Sequence, residues 1–83
     1  MAKQESSMTL DEFKHEALRI LRVGGVTYRD NPRQLEEIQR ASKPGELNAT
    51  INAVILSQAI SATTRSDLNN LKKLMKVRFP ELG

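Results

Sequence analysis

The part of the sequence that most constrains the fold is residues 47–79, the longest stretch that fits a single kind of structure. If this stretch is helical, successive side chains turn by about 100°, and the apolar residues of its first half fall on two opposite faces. The two faces consist of Leu47, Ile51, Val54 and Ile55 on one side, and of Ala49, Ala53, Leu56 and Ile60 on the other. A helix at the edge of one core needs only a single apolar stripe. We therefore expect this helix to be sandwiched within its own chain or to be covered on one side by a second chain.

The second half of the same stretch carries one apolar stripe and one basic stripe. The apolar stripe consists of Leu68, Leu71, Met75 and Phe79, and the basic stripe consists of Arg65, Asn69, Lys72, Lys73 and Lys76. On one straight helix the basic stripe would continue the face of Leu47 and Ile51, which is unfavourable for a buried surface. We therefore predict a break between the halves. Thr64 and Asp67 have the spacing of a capping box at which a new helix could begin.

Two alternatives to this break remain open at the sequence level. One is a single long helix that turns Ala53, Ile60, Leu71 and Met75 inward. The other is a β-strand over residues 47–56, where apolar and polar residues alternate and β-branched residues are frequent. The alanines, the helical pattern that follows and the lack of a hairpin partner in the sequence weigh against the strand.

Two further helices are predicted before this stretch. Thr9 and Glu12 have the capping-box pattern that starts a helix, and Gly24 is placed to end that helix as a left-handed glycine. Pro32 suits the first position of a second helix, whose narrow apolar stripe indicates a peripheral cover. Residues 42–45 contain Pro and Gly and are predicted to turn the chain into the third helix.

The predicted fold is an all-α bundle of three to four helices, at about residues 10–23, 32–42, 46–62 and 65–79. The last two are predicted either as separate helices or as one long or kinked helix. We expect residues 1–8 to form a flexible N-terminal tail and residues 9–83 to form a single helical domain. A chain of 83 residues buries only about 60–65% of its unfolded surface, so an oligomeric partner would add stability.

The composition limits the chemistry and the cellular setting. The chain has no Cys, so disulfides and thiolate metal sites are excluded. Its longest uninterrupted apolar run, residues 53–56, is far too short to span a membrane, and the N-terminus lacks the apolar segment of a signal peptide. We therefore expect a cytoplasmic protein that does not bind membranes.

The net charge of +3 arises entirely after residue 46. In that part of the chain the basic residues Arg65, Lys72, Lys73, Lys76 and Arg78 outnumber the acidic residues Asp67 and Glu81. A basic helix can bind phosphates or an acidic partner. Lys and Arg are also common near a helix C-terminus because they complement the helix dipole.

The sequence contains no catalytic or cofactor pattern. His15 is the only His, lies on the polar side of the first helix and lacks the further ligands that a metal site needs. The glycine pair at residues 24–25 lacks the spacing of a phosphate-binding loop. We therefore expect no enzymatic activity, no cofactor, no metal ion and no small-molecule substrate.

Three functions compete on these observations. We favour a small interaction or assembly protein that binds itself, as a homo-oligomer, or another protein through the apolar faces of residues 47–60. The predicted interface residues are Leu47, Ile51, Val54, Ile55, Leu56 and Ile60. The first alternative is a nucleic-acid-binding regulator in which the C-terminal helix, residues 65–78, contacts nucleic acid or an acidic partner through the basic stripe. The second alternative is a subunit of a helical polymer.

Overall fold

The computed structural model describes residues 8–57 and 60–82 and contains four α-helices. The elements are α1 at Leu10–Val23, α2 at Pro32–Arg40, α3 at Pro44–Ser57 and α4 at Ala62–Arg78, followed by a 3₁₀ turn at Pro80–Leu82. The described residues contain no β-strand, and none of their helices is long and apolar enough to cross a lipid bilayer. The prediction of a small all-α bundle is confirmed, with α3 and α4 as separate helices.

The start of α1 is set by its local sequence. The backbone N–H of Thr9 donates to the Glu12 carboxylate at 2.8 Å, and the backbone N–H of Glu12 donates to the Thr9 hydroxyl at 3.2 Å. The predicted capping box is therefore confirmed. Residues 1–7 of the predicted tail lie outside the described residues, whereas Met8 is half-buried and packs against the core.

The end of α1 is a Schellman motif, in which a left-handed glycine reverses the chain. The backbone N–H of Gly25 donates to the Arg22 carbonyl at 3.1 Å, and that of Val26 donates to the Leu21 carbonyl at 2.8 Å. The left-handed residue is Gly25, with a φ of 89°, whereas Gly24 has an ordinary φ of −80°. The prediction that Gly24 is the left-handed glycine is wrong by one residue.

The break between α3 and α4 is confirmed, but it lies before the predicted capping residue. Ser61 is the N-cap of α4, and its hydroxyl accepts from the backbone N–H of Thr64 at 3.1 Å. Thr64 is instead buried in the first turn of α4, so its assignment as the cap is wrong. The single long helix and the strand over residues 47–56 are also wrong. Residues 58 and 59, which the prediction assigned to the helix over residues 46–62, lie outside the described residues.

The predicted end of α2, at residue 42, and the predicted start of α3, at residue 46, each lie two residues after the observed positions. α2 ends at Arg40, and α3 begins at Pro44, because Pro44 and Gly45 form its first turn and do not belong to the connection. Pro fits this position because the first N–H groups of a helix have no partner within it. The Glu46 carboxylate accepts from the backbone N–H of Ser42 at 2.9 Å and also from the Ser42 hydroxyl. These bonds fix the connection between α2 and α3.

α1 and α4 pack antiparallel along most of their length. At one end of the pair Gly24 lies directly against Thr64. At the other end the rings of Phe13 and Phe79 meet edge to face, with their centres 5.8 Å apart. This pairing joins the first and last helices of the chain into the framework on which α2 and α3 rest.

The two ends of the described chain meet beside this framework. Arg78 Nε donates to the backbone carbonyl of Met8 at 3.0 Å, and the Arg78 guanidinium lies 4.8 Å from the centre of the Phe79 ring. The 3₁₀ turn at Pro80–Leu82 contacts α3 as well as α4. Because α3 and α4 are joined by a short connection, this contact places the start of α3 at the same end of the bundle as Met8 and Arg78.

α2 covers the remaining side of the core, as predicted, and contacts both α1 and α3. Lys14 Nζ on α1 donates to the backbone carbonyl of Ala41 at 2.9 Å, where a positive charge is favoured by the helix dipole of α2. All four helices contribute to one apolar core. Its buried residues are Phe13, Ala17, Ile20, Leu21, Val26, Leu35, Ile38, Ala41, Leu47, Ile51, Val54, Leu68, Leu71 and Met75.

Candidate interaction face

α3 turns one of its two apolar faces into the core of its own chain. Leu47, Ile51 and Val54 are buried, and Ile55 and Ile60 are half-buried and pack against the same core. A partner cannot reach the three buried side chains while the bundle is folded. Their assignment to a protein interface is therefore corrected to the core, and Ile55 and Ile60 are accessible only in part.

The opposite face of α3 is exposed in the single chain. We define the outer face of α3 by four exposed residues at helical spacing: Gly45, Ala49, Ala53 and Leu56. Leu56, the largest of them, has 86% of its surface exposed. The alternative in which α3 is sandwiched between two layers of its own chain is therefore wrong.

The outer face of α3 changes from small to large side chains along the helix. A Cβ atom added to Gly45 would meet no other atom within 4 Å, so the surface there is open. Ala49 and Ala53 follow with one methyl group each. Leu56 comes eleven residues after Gly45, which is about 16 Å along the helix axis. The face therefore has no side chain at Gly45, near the start of α3, and a large exposed side chain at Leu56, near its end.

A shallow groove of about 580 Å³ runs between this face and α2. Its lining includes Glu37 and Arg40 from α2 and Glu46 and Ala49 from α3. The pKa of the Glu46 carboxyl lies below its usual value of 4.5, chiefly because the carboxylate accepts from the backbone N–H of Ser42. The groove is therefore bordered by charges of both signs.

The basic stripe borders the other side of α3. Lys72 is half-buried, and its ammonium group donates to the side-chain oxygen of Asn52 on α3. It therefore joins α3 to α4 and is less accessible to a partner than predicted. The remaining members of the stripe are exposed on α4: Arg65, Asn69, Lys73 and Lys76.

Two further titratable side chains, Glu16 and Arg19, form a pair at the surface of α1. Arg19 contacts the Glu16 carboxylate through Nε and Nη2, with a shortest distance of 2.8 Å. This hydrogen-bonded pair lowers the pKa of Glu16 and raises that of Arg19. His15 is exposed on the same helix. The described residues contain no group of three or more His, Cys, Asp and Glu that could hold a metal ion.

Sequence reasoning missed Gly45 as a member of the outer face of α3. It assigned the pair at residues 44–45 to a connecting turn, because Pro and Gly together usually mark one. Counting the helical period from Pro44, the favoured first helical position, would have placed Gly45 one turn before Ala49.

Comparison of the chain with protein-family models, with curated proteins and with solved structures finds no match in any of the three.

Proposed function

We propose that this chain is a non-enzymatic assembly protein that pairs with a second copy of itself through the outer face of α3. The observation that carries the proposal is Leu56, an apolar side chain with 86% of its surface exposed at the end of a helix whose other face is already buried. Contiguous exposed apolar patches rimmed by polar residues mark protein interaction sites, and Leu56 continues the apolar row of Ala49 and Ala53 on this face.

The shape of the outer face supports pairing with an identical copy. If two α3 helices cross in antiparallel fashion near Ala49 and Ala53, Leu56 of each copy lies over the open surface at Gly45 of the other. Small residues allow two helix backbones to approach closely, and a large side chain then fills the space beside them. A two-fold contact of this kind is closed and gives a dimer, which favours pairing over the helical polymer.

The same geometry predicts that pairing is weak. Full burial of one Leu contributes about 1.5–3 kcal/mol, and two copies contribute twice that amount. Association costs at least about 4 kcal/mol in lost translational and rotational freedom. The basic stripes of two antiparallel copies would also lie on the same side and repel each other. We therefore expect dimers only at high micromolar to millimolar concentration, and more of them at high salt.

Sedimentation velocity across protein concentration, at low and high salt, tests this proposal. We expect the average mass to rise with concentration and to rise more steeply at high salt. Leu56→Gln should abolish this rise without unfolding the chain, because Leu56 is exposed. Val77→Gln is the matched control, since Val77 is exposed on α4 and lies outside the outer face of α3. A monomer at millimolar concentration, or equal effects of the two variants, would refute the proposal.

A second candidate function is nucleic-acid binding by α4. It is supported by the four exposed members of the basic stripe on one helix, since Lys and Arg bind phosphates and Asn can contact base edges. Salt distinguishes the two candidates, because it weakens binding to duplex DNA and strengthens the proposed pairing. Lys73→Glu combined with Lys76→Glu should abolish DNA binding if this alternative holds, and Leu56→Gln should leave it unchanged.

A further inference from the structure

A second cavity, of about 350 Å³, lies between α1 and α2, away from the outer face of α3. The buried side chains of Val26 and Leu35 and the half-buried side chain of Leu18 form its apolar lining. Tyr28 stands at its border with 45% of its surface exposed. The volume is at the lower end of the range of about 300–1,000 Å³ that is typical of small-molecule sites.

The charged side chains that line this cavity are all positive. The charged ones are Arg19 and Arg22, and the lining contains no carboxylate. Arg19 is already paired with Glu16. The Arg22 guanidinium makes no hydrogen bond or ion pair with any described residue, and a guanidinium is charged at every physiological pH. An apolar cavity with an unpaired positive charge at its border is complementary to an apolar ligand that carries one negative charge.

We propose that the cavity between α1 and α2 binds a small carboxylate with an apolar body, such as a medium-chain fatty acid. The apolar body lies against Leu18, Val26 and Leu35, and the carboxylate accepts hydrogen bonds from Arg22. Gln39 on α2 and His15 on α1 supply further N–H donors at the border. The inference is independent of the proposed pairing, because none of these residues belongs to the outer face of α3.

The chain offers a built-in probe for this site. Tyr28 is the only Tyr, and the chain has no Trp, so the intrinsic fluorescence of the protein reports mainly from the border of the cavity. We would titrate the full chain with octanoate and follow this fluorescence at a protein concentration at which the chain is monomeric. Octanol and octyltrimethylammonium serve as uncharged and positively charged ligands with the same alkyl chain.

We expect a saturable change with octanoate at about 1 mM or below, which is reasonable for a ligand of this size. A bound ligand should also raise the urea midpoint of unfolding. Octanol should bind more weakly than octanoate, and octyltrimethylammonium should not bind. Absence of a saturable response to octanoate would overturn the proposal, and so would equal affinity for octanoate and octanol.

Two variants and one control separate the charge from the apolar lining. Arg22→Gln should weaken octanoate binding about fivefold and leave octanol binding unchanged, as for one partly exposed ion pair. Leu18→Ala should weaken the binding of both octanoate and octanol. Arg33→Gln is the matched control, because Arg33 is exposed on α2 and does not line the cavity. Equal loss of octanoate binding in Arg22→Gln and Arg33→Gln would show that only the net charge matters and would overturn the assigned site.

Discussion

The close contact between Gly24 and Thr64 predicts that replacing Gly24 by alanine destabilises the fold. Gly24 has a φ of −80° and a ψ of 4°, which any residue can adopt. At such a position alanine normally stabilises a protein by about 0.4–1 kcal/mol, because it restricts the unfolded chain. From the backbone conformation alone, Gly24→Ala would therefore be expected to stabilise the fold.

The surroundings of Gly24 reverse this expectation. A Cβ atom at residue 24 would lie 2.3 Å from Thr64 Oγ1 and 2.9 Å from Thr64 Cγ2. The Thr64 side chain cannot move away easily, because its χ1 is restricted within a helix and its hydroxyl accepts from the Ser61 hydroxyl at 3.0 Å. Forcing an extra methyl group into such a contact costs about 1–3 kcal/mol. We therefore expect Gly24→Ala to destabilise the chain by about 1–2 kcal/mol net.

A double-mutant cycle measured by urea unfolding, followed by circular dichroism, tests this reasoning. Thr64→Ala removes both clashing atoms, so Gly24→Ala should cost at least about 1 kcal/mol less in that background. Gly25→Ala is the matched control. Gly25→Ala introduces backbone strain, because Gly25 has a positive φ. The added Cβ would meet no atom within 4 Å, so the loss of stability in Gly25→Ala should not depend on residue 64.

Two results would refute the steric explanation. One is stabilisation of the otherwise wild-type chain by Gly24→Ala. The other is additivity of Gly24→Ala and Thr64→Ala within about 0.5 kcal/mol, the scatter expected for independent sites.

Two further predictions concern other contacts of the fold. Phe79→Ala should lower the free energy of unfolding by about 2 kcal/mol, because it removes a half-buried ring that contacts Phe13 and the Arg78 guanidinium; a loss below about 0.5 kcal/mol in urea unfolding would contradict the observed packing. Because the folded-state pKa of Glu46 is lowered, its hydrogen bonds stabilise the fold above the usual pKa of 4.5 and are lost as the pH falls through the folded pKa. In acid titrations followed by circular dichroism, Glu46→Gln should therefore unfold with a weaker pH dependence below pH 4.5 than the wild-type chain, and an unchanged dependence would contradict this.

Local sequence patterns predicted the features whose hydrogen bonds join residues close together in the sequence. The capping box of Thr9 and Glu12 predicts the start of α1 because both hydrogen bonds close within one turn. The cap of α4 was harder, because Ser61 and Thr64 each offer a hydroxyl followed by helix-forming residues. In the fold Thr64 packs against Gly24, and that contact joins residues far apart in the sequence, which local patterns do not reveal.

Helical periodicity alone could not decide which face of α3 is buried, although the size of the side chains could. Both faces contain apolar residues at helical spacing, so periodicity alone gives no preference. The bulk of Leu47, Ile51 and Val54, compared with Ala49 and Ala53, would have favoured the observed core. The cavity between α1 and α2 could not be predicted, because it depends on how two separate helices are placed against each other.

The hydrogen bond between Arg78 and Met8 has a consequence for the geometry of the proposed dimer. It holds both ends of the described chain at the end of the bundle where α3 begins. In an antiparallel pair these ends project from opposite poles of the assembly. Two copies of a protein fused to the same terminus of each chain would therefore be held apart by the length of the proposed dimer.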